Sequence, residues 1–529
     1  MTYTTDAAKL SREPLNIVRI DLDTKISGTY EYICDGISPP NNPPIYSCVK
    51  SIEWVPQRTD PDGGLGYLGE VVINAVDFDW PGGAGTYFGR LLANNPYFLN
   101  RKVKIYSGFL ARGDSFSLAN FQERDYFIRD ITGPDAKGKV QIKAADILSQ
   151  TKEATMPRKT NGILESALNT TETPTDLGIT DETGFSSTGW AIINDEIVSY
   201  SDAAGANDIN LTNRGQAGTD AASHAIGDPV RYVEKYSGNV VDIIEDIIQN
   251  HTDIDDTTYI NSTDWTNEKN NYLSGENVEL WVTEPTTVDK VLDQLCKQTY
   301  INLFWDDVNQ EIKLKAIGPT LTPATQWNDT ANILDTKITI KRPQKNIYSQ
   351  CWVYYGKINK AGSDQASNYK SLHILANTDI ETGLGTDNIK RIYGAHLPDN
   401  ASATASKVAS RFVAQHSNPI DIQFEVDTKD QESLETGDSV EITTDLIQGT
   451  DGLASTILLR VIEKRALDNN RWRYRCVFSG AEVGSRYPLV GPNTLVDYGS
   501  ESTANQNTYG FICDNDNEML NGDDPYLIL

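Results

Sequence analysis

The sequence predicts a mainly β chain with minor α content, divided into several domains. The chain has 529 residues, and a single core rarely grows beyond about 250–300 residues, which excludes one undivided globule. Tyrosine outnumbers phenylalanine by 25 to 13, and Tyr, Thr, Val and Ile favour the half-buried surface of a pleated sheet. Alternating apolar and polar residues recur along most of the chain, and that alternation has the period of a strand.

The charge balance disfavours ordinary nucleic-acid and lipid binding. There are 46 Lys and Arg against 74 Asp and Glu, a net charge of −28, which repels phosphate and anionic lipid. We expect no signal peptide, because residues 1–6 lack a basic and an apolar region, and no membrane insertion, because no run of about 18 apolar residues exists. Six cysteines are too few for a disulfide scaffold, which favours folding in a reducing cytosol.

Residues 1–156 are predicted to form a first β-barrel domain. Apolar positions 87, 88, 91 and 92 predict a short helix that Pro96 ends, and the Pro- and Asn-rich stretch 35–44 predicts a loop. The strands predicted from alternation are 16–23, 29–34, 47–55, 69–78, 102–106, 125–131 and 139–143.

Residues 157–232 are predicted to form a small inserted β module. The composition shifts toward Thr, Asn, Glu and Gly after Pro157. Residues 190–200 predict two strands around a turn at Asn194 and Asp195.

Residues 233–335 are predicted to form a mixed α/β domain. Residues 239–250 place five aliphatic side chains on one stripe, which predicts the clearest helix of the chain. A second helix is predicted at 286–299, followed by strands at 302–305 and 311–315 around an Asp-Asp turn.

Strands dominate again over 336–481, which predicts a second β-barrel domain with one helix at 402–415. Residues 126–143 and 458–475 share a plan of strand, polar turn and strand, which is consistent with two copies of one barrel module. The last part, 482–529, is rich in Asn, Asp and Gly and predicts an extended arm with one hairpin near 509–512.

No motif in the chain predicts a catalytic, cofactor-binding or metal-binding residue. Residues 64–69 match G-x-G-x-x-G, but a turn precedes them and a strand pattern follows, so a flexible hairpin loop is the better interpretation. Asp514, Asp516 and Glu518 resemble the start of a calcium loop that lacks its glycine, which favours a solvated turn. We predict that the protein is not an enzyme.

Other candidate groups also have simple structural interpretations. Asp253, Asp255 and Asp256 lie close together, as carboxylates do by chance in so acidic a chain. Cys34 and Cys48 flank the Pro-rich loop, and whether they pair stays open. The histidines lack zinc-ligand spacing and lie at His224, His251, His373, His396 and His416.

Three stretches together resemble the baseplate hub, or tail hub, proteins of long-tailed bacteriophages and gene transfer agents. They are Gly85 to Leu92 with the strand that follows, the pattern of 184–230 that includes Arg214-Gly215-Gln216-Ala217-Gly218-Thr219, and Glu435-Thr436-Gly437-Asp438. The resemblance spans roughly residues 15–480, and its motifs are structural rather than catalytic.

The resemblance implies an architecture and a set of partners. Hub proteins have two tail-tube-like β-barrel domains and assemble as homotrimers, so that six barrels continue a hexameric tail tube. The implied location is the distal tail tip of the virion after assembly in the host cytoplasm. The implied partners are a distal tail or tube protein, a central fibre or tip protein, the tape measure protein as a further candidate, and genomic DNA only in transit.

The acidic charge suits such a role, because carboxylates that line a channel repel the DNA that crosses it. An alternative interpretation is that the charge keeps the outer surface soluble. Two rival functions stay open at this point: a β-rich surface adhesin, and a glycan-binding or glycan-hydrolysing protein whose paired carboxylates sequence alone does not reveal.

Overall fold

The computed structural model describes most of residues 12–478 together with 511–512 and 526–527. Within 12–478 the gaps are 23–29, 40–42, 55–56, 67–68, 112–115, 203–206, 319–322, 335–337, 418, 428–433, 450 and 469–470. Over the described residues as a whole, strands outnumber helices, so the prediction of a mainly β chain with minor α content is confirmed. The predicted calcium-like turn and most of the predicted arm lie outside the described residues.

The first barrel occupies the first part of the chain. Its strands alternate buried and outward side chains, as Glu70–Val76 does along its length. The elements of this part are β1 (Arg12–Asp21), β2 (Tyr30–Cys34), β3 (Ile45–Ser47), β4 (Val49–Trp54), β5 (Gln57–Arg58), β6 (Gly64–Leu65), β7 (Glu70–Val76), helix α1 (Tyr87–Asn94), β8 (Lys102–Ala111), β9 (Gln122–Thr132) and β10 (Lys139–Ala145).

This eight-stranded sheet closes on itself. Its strand order is β3-β2-β1-β8-β9-β10-β7-β4, so its two edge strands are separated in the chain only by Cys48. The Cys48 N–H donates to the carbonyl of Cys34 on β2, at 3.2 Å, and the Cys48 carbonyl accepts from Val76 on β7, at 2.9 Å. Helix α1 packs Tyr87 and Phe88 into the core.

The inserted module is a second, smaller barrel. Its sheet order is β12-β17-β14-β15-β16-β13, and backbone bonds from Glu165 to Gly178 and from Thr180 to Ile163 join the two edge strands. The elements here are β11 (Thr155–Met156), β12 (Gly162–Ile163), β13 (Leu177–Gly178), β14 (Thr188–Ile193), β15 (Glu196–Asp202), β16 (Asp208–Gln216) and β17 (Pro229–Asn239).

A mixed α/β unit follows, as its segment predicts. Helix α2 buries six aliphatic side chains, and Asn239 caps its first turn by accepting from the Val241 N–H. The elements are α2 (Val240–His251), α3 (Asp256–Tyr259), α4 (Ser262–Tyr272), β18 (Asn277–Val282), β19 (Thr286–Thr287), α5 (Val288–Thr299), β20 (Ile301–Asp306) and β21 (Glu311–Ala316).

The last part of the chain forms a seven-stranded sheet and a separate three-stranded one, β25-β24-β26. Its elements are β22 (Thr325–Asn328), β23 (Thr339–Lys341), β24 (Gln350–Lys357), β25 (Tyr369–Ala376), α6 (Thr378–Leu384), β26 (Ile389–Tyr393), α7 (Ser402–His416), β27 (Asp421–Asp427), β28 (Ser439–Gln448), β29 (Ala454–Asp468) and β30 (Arg471–Phe478). Beyond them, β31 (Phe511–Ile512) pairs with β32 (Tyr526–Leu527).

The larger of these sheets is a further barrel, closed by a similar device. Strand β22 lies at one edge, where it pairs with β28. After a turn at Asn328, Ile333 bridges to Val426 of β27, which is the neighbour of the opposite edge strand, β23. Trp327, Phe424 and Tyr474 pack together in its core.

The two large barrels repeat one strand order. Six consecutive positions read β1-β8-β9-β10-β7-β4 in the first barrel and β22-β28-β29-β30-β27-β23 in the last. In the first barrel β7 precedes the meander β8-β9-β10, and β10 pairs back with β7. In the last barrel β27 precedes the meander β28-β29-β30, and β30 pairs back with β27. One pairing differs, because β1 is antiparallel to β8 while β22 is parallel to β28. The segments 126–143 and 458–475 are the equivalent hairpins β9–β10 and β29–β30.

The predicted domain boundaries stay predictions, and strand pairing crosses them. Strand β22 precedes the boundary at 335 but belongs to the last barrel. Helix α7 lies inside the predicted second barrel domain, yet Val408 and Phe412 belong to the core of the α/β unit. Residues 57–66 of the predicted first domain pair with two other sheets.

Candidate functional site

The place where the large barrels meet the α/β unit is the candidate functional site. Residues 57–66 cross this junction as a strap, with β5 pairing to β29 of the last barrel and β6 pairing in parallel with β20. The interpretation of 64–69 as a flexible hairpin loop is therefore wrong for Gly64 and Leu65. They form a short strand because the neighbouring β20 supplies hydrogen-bond partners, such as the Leu303 carbonyl for the Gly66 N–H at 2.7 Å.

A cavity of about 30 Å³ lies at this junction. Its walls come from all three units and combine three indole rings with charged groups. The lining residues are Trp54, Gln57, Gly69, Arg124, Tyr126, Asp146, Trp305, Asp307, Lys464, Arg465, Ala466 and Trp472.

Arg124 links the three units within this cavity. Its guanidinium lies 5.5 Å from the ring centre of Trp54 and 5.3 Å from that of Trp472, and desolvated stacking of this kind is attractive. Its Nε lies 3.1 Å from Oδ2 of Asp307, and the Arg124 side chain is only 3% exposed. The Tyr126 hydroxyl donates to the same Asp307 oxygen at 3.2 Å.

A carboxyl pair lies beside the cavity. Asp306 ends β20 and is fully buried, while Glu435 belongs to the loop before β28. Burial, together with a hydrogen bond to Asp306, raises the pKa of Glu435 to about 9, so Glu435 holds a proton at neutral pH. The amide nitrogen of Asn309 donates to Asp306 and to Glu435, each at 2.7 Å.

Asp146 is a second buried acid on the cavity wall. Burial raises the pKa of Asp146 to about 7, although backbone N–H groups of Gly69 and Ser149 stabilise its charged form. The Gly69 N–H donates to Asp146 Oδ2 at 2.6 Å. These acids and Arg124 were missed by the sequence analysis, because their partners lie far away in the chain.

The motif at 214–219 builds a charged network inside the small barrel. Arg214 binds Glu196 through two nitrogens at 2.6 and 2.7 Å, and His224 lies 2.8 Å from the same carboxylate. Burial opposes the charged form of Glu196, but the hydrogen bond from Arg214 and those from Ala222, His224 and Gly215 lower its pKa to about 2. This motif of the resemblance therefore has a structural role inside the small barrel.

The same motif also fastens the small barrel to the last part of the chain. The Lys360 N–H donates to the Ala217 carbonyl at 3.0 Å. Gly218 has φ +78°, and a Cβ there would overlap the carbonyl oxygen of Ile358. Glycine is needed at this position for both its conformation and its close approach.

The other sequence candidates are not brought together. The thiols of Cys34 and Cys48 are buried and free, and burial raises the pKa of Cys48 to about 12. Asp255 accepts from the hydroxyls of Thr257 and Thr258 at a helix start. Within the described residues, no three His, Cys, Asp or Glu side chains form a possible metal site, and none of the described helices is suited to crossing a bilayer.

The histidines occupy separate surroundings. His416 lies 2.6 Å from Asp62 of the strap, and the Tyr236 hydroxyl lies 3.0 Å from His251. His396 is buried, which lowers its pKa to about 4.

The fold and the junction define a multi-barrel β protein. Comparison with solved structures finds proteins that align with most of this chain. No protein-family profile and no curated protein matches the chain. A tail protein from Neisseria meningitidis aligns with 89% of this chain and 98% of its own, at 8% identity and a TM-score of 0.43. A prophage tail protein from Shewanella oneidensis aligns with 88% and 99%, at 8% identity and a TM-score of 0.43.

A prophage tail protein from Listeria monocytogenes aligns with 87% of this chain and 94% of its own, at 8% identity and a TM-score of 0.38. All three structures are described as tail proteins, and those from Shewanella and Listeria are described as prophage proteins.

Proposed function

We propose that the protein is a structural baseplate hub at the distal end of a phage tail. The observation that carries the proposal is the repeated strand order of its two large closed barrels. A chain that contains one barrel plan twice is suited to continuing a ring of identical single-barrel subunits. The sequence resemblance over roughly residues 15–480 gives the same assignment.

In this proposal three chains form a closed ring. Two barrels per chain give six barrels in a trimer, which matches a six-fold tube on one side while it presents three-fold symmetry on the other. Cyclic symmetry of this kind closes without leaving an unsatisfied interface. The proposed partners are a distal tail or tube protein, a central fibre or tip protein and the tape measure protein.

The proposed role toward DNA is passage without binding. The net charge of −28 opposes phosphate contacts, which normally supply the affinity of proteins for DNA. The chemistry of the junction agrees with a structural role, because the ion pair of Arg124 and Asp307 joins the first barrel to the α/β unit. Neither role requires catalysis.

The experiment that tests the proposal is the mass and symmetry of the purified full chain. We expect a mass of three times 58.5 kDa by light scattering, and a ring with a central opening in electron micrographs. Averaged images should show three-fold symmetry with six similar densities. A compact monomer under the same conditions would contradict the hub assignment and favour the adhesin or glycan-processing alternatives.

A further inference from the structure

The junction cavity has the size of a water site. Its volume is about 30 Å³, and a buried water requires at least about 10–15 Å³, so one or two waters fit. The cavity touches the first barrel at Trp54, the α/β unit at Trp305 and the last barrel at Trp472. A ligand bound there would contact all three units at once.

Three of the lining residues bring buried polar atoms that have no hydrogen-bond partner among the described residues. They are the acceptors Asp307 Oδ1 and Gln57 Oε1 and the donor Trp305 Nε1. Asp307 Oδ1 also lies 3.7 Å from Lys464 Nζ, which is too far for a direct hydrogen bond. A polar contact longer than about 3.5 Å is one that a water can mediate.

The count of donors and acceptors selects the class of ligand. An anion can accept from Trp305 and Lys464, but its lone pairs would face the oxygens of Asp307 and Gln57. A metal cation is disfavoured by Arg124 and Lys464 on the same walls. A water accepts two hydrogen bonds and donates two, so one water can accept from Trp305 and Lys464 and donate to Asp307 and Gln57.

We propose that this cavity binds an ordered water that bridges Asp307, Gln57, Trp305 and Lys464. Buried polar groups are destabilising when they stay unpaired, so this water stabilises the placement of the two large barrels against the α/β unit. The inference goes beyond the proposed function and does not depend on it, since it concerns a contact within one chain.

The test is an experimental structure of the full chain at a resolution that shows ordered waters. We expect a water peak about 2.7–3.2 Å from Asp307 Oδ1 and from Trp305 Nε1. In Trp305→Phe, which removes the donor, the peak should weaken or disappear. Trp472→Phe is the matched control, because it removes an indole from the same cavity but not one of the buried unpaired atoms, and it should keep the peak.

Three results would overturn the proposal. The first is a wild-type map that shows equally buried waters elsewhere and none in the cavity. The second is density for a larger molecule or an anion in the cavity, and the third is an unchanged peak in Trp305→Phe. The wild-type map decides the question even if a variant fails to fold.

Discussion

The shared proton of Asp306 and Glu435 makes the junction sensitive to pH. The folded chain holds a proton on Glu435 up to a pKa of about 9, whereas the ordinary pKa of a glutamate is 4.5. Over that interval the unfolded chain binds fewer protons than the folded chain. The contribution of Glu435 to the free energy of unfolding is therefore fully present below about pH 4.5 and is lost as the pH rises toward 9.

Glu435→Gln should remove most of this pH dependence, because the amide is neutral at every pH and still has a donor for Asp306. We expect the melting temperature of the variant to exceed that of the wild type increasingly from pH 5 to pH 9. Glu53→Gln, at an exposed glutamate, is the control and should follow the wild type. Parallel curves for E435Q and wild type would contradict the assignment of the proton.

Arg214 tests the charged network of the small barrel. Its removal leaves Glu196, which is 1% exposed, without its main cationic partner, and breaking a buried pair typically costs about 3–5 kcal/mol. Arg214→Ala should lower the free energy of protection of β15 and β16 in hydrogen exchange by that amount. Hydrogen exchange is the suitable measurement because it does not assume two-state unfolding of the whole chain. The exposed Lys159→Ala is the control. Unchanged protection would show that Glu196 is satisfied without Arg214.

At the scale of elements, the sequence predicts the helices and strands whose buried residues recur with a regular period. Helix α2 is predicted at 239–250 and observed at Val240–His251, because its apolar stripe faces the core. Helix α4 was missed because only Trp265 of its eleven residues is buried, so it has no apolar period to detect. Strand β6 was missed because its partner, β20, lies more than 230 residues away.

The site was less predictable than the fold for the same reason. Arg124 alone gives no signal, because its contacts are with Trp54, Asp307 and Trp472, which lie in three other parts of the chain. The motif at 214–219 was detected as a resemblance, but its network with Glu196 depends on pairing between β15 and β16.

The loop at 215–219 is the element that holds the small barrel against residues 358–361. Gly218→Ala combines an unfavourable positive φ with a clash against the Ile358 carbonyl, so we expect this contact to open and limited proteolysis at 215–219 to accelerate several-fold. Gly227→Ala is a matched control, because Gly227 also has a positive φ, +93°, but open space around its Cβ position. Equal proteolysis of both variants would mean that backbone strain alone is responsible.

At the scale of the whole molecule, the charge governs assembly of the proposed trimer. Each chain carries a net −28, and bringing three such chains together costs electrostatic free energy that salt screens. The Debye length falls from about 30 Å at 0.01 M to about 8 Å at 0.15 M ionic strength. We therefore expect trimer formation to strengthen over this range, measured by sedimentation equilibrium at several protein concentrations.

Sodium chloride and potassium chloride should act alike, since screening depends on ionic strength. A trimer that weakens as salt increases would show instead that ion pairs between subunits dominate the interface.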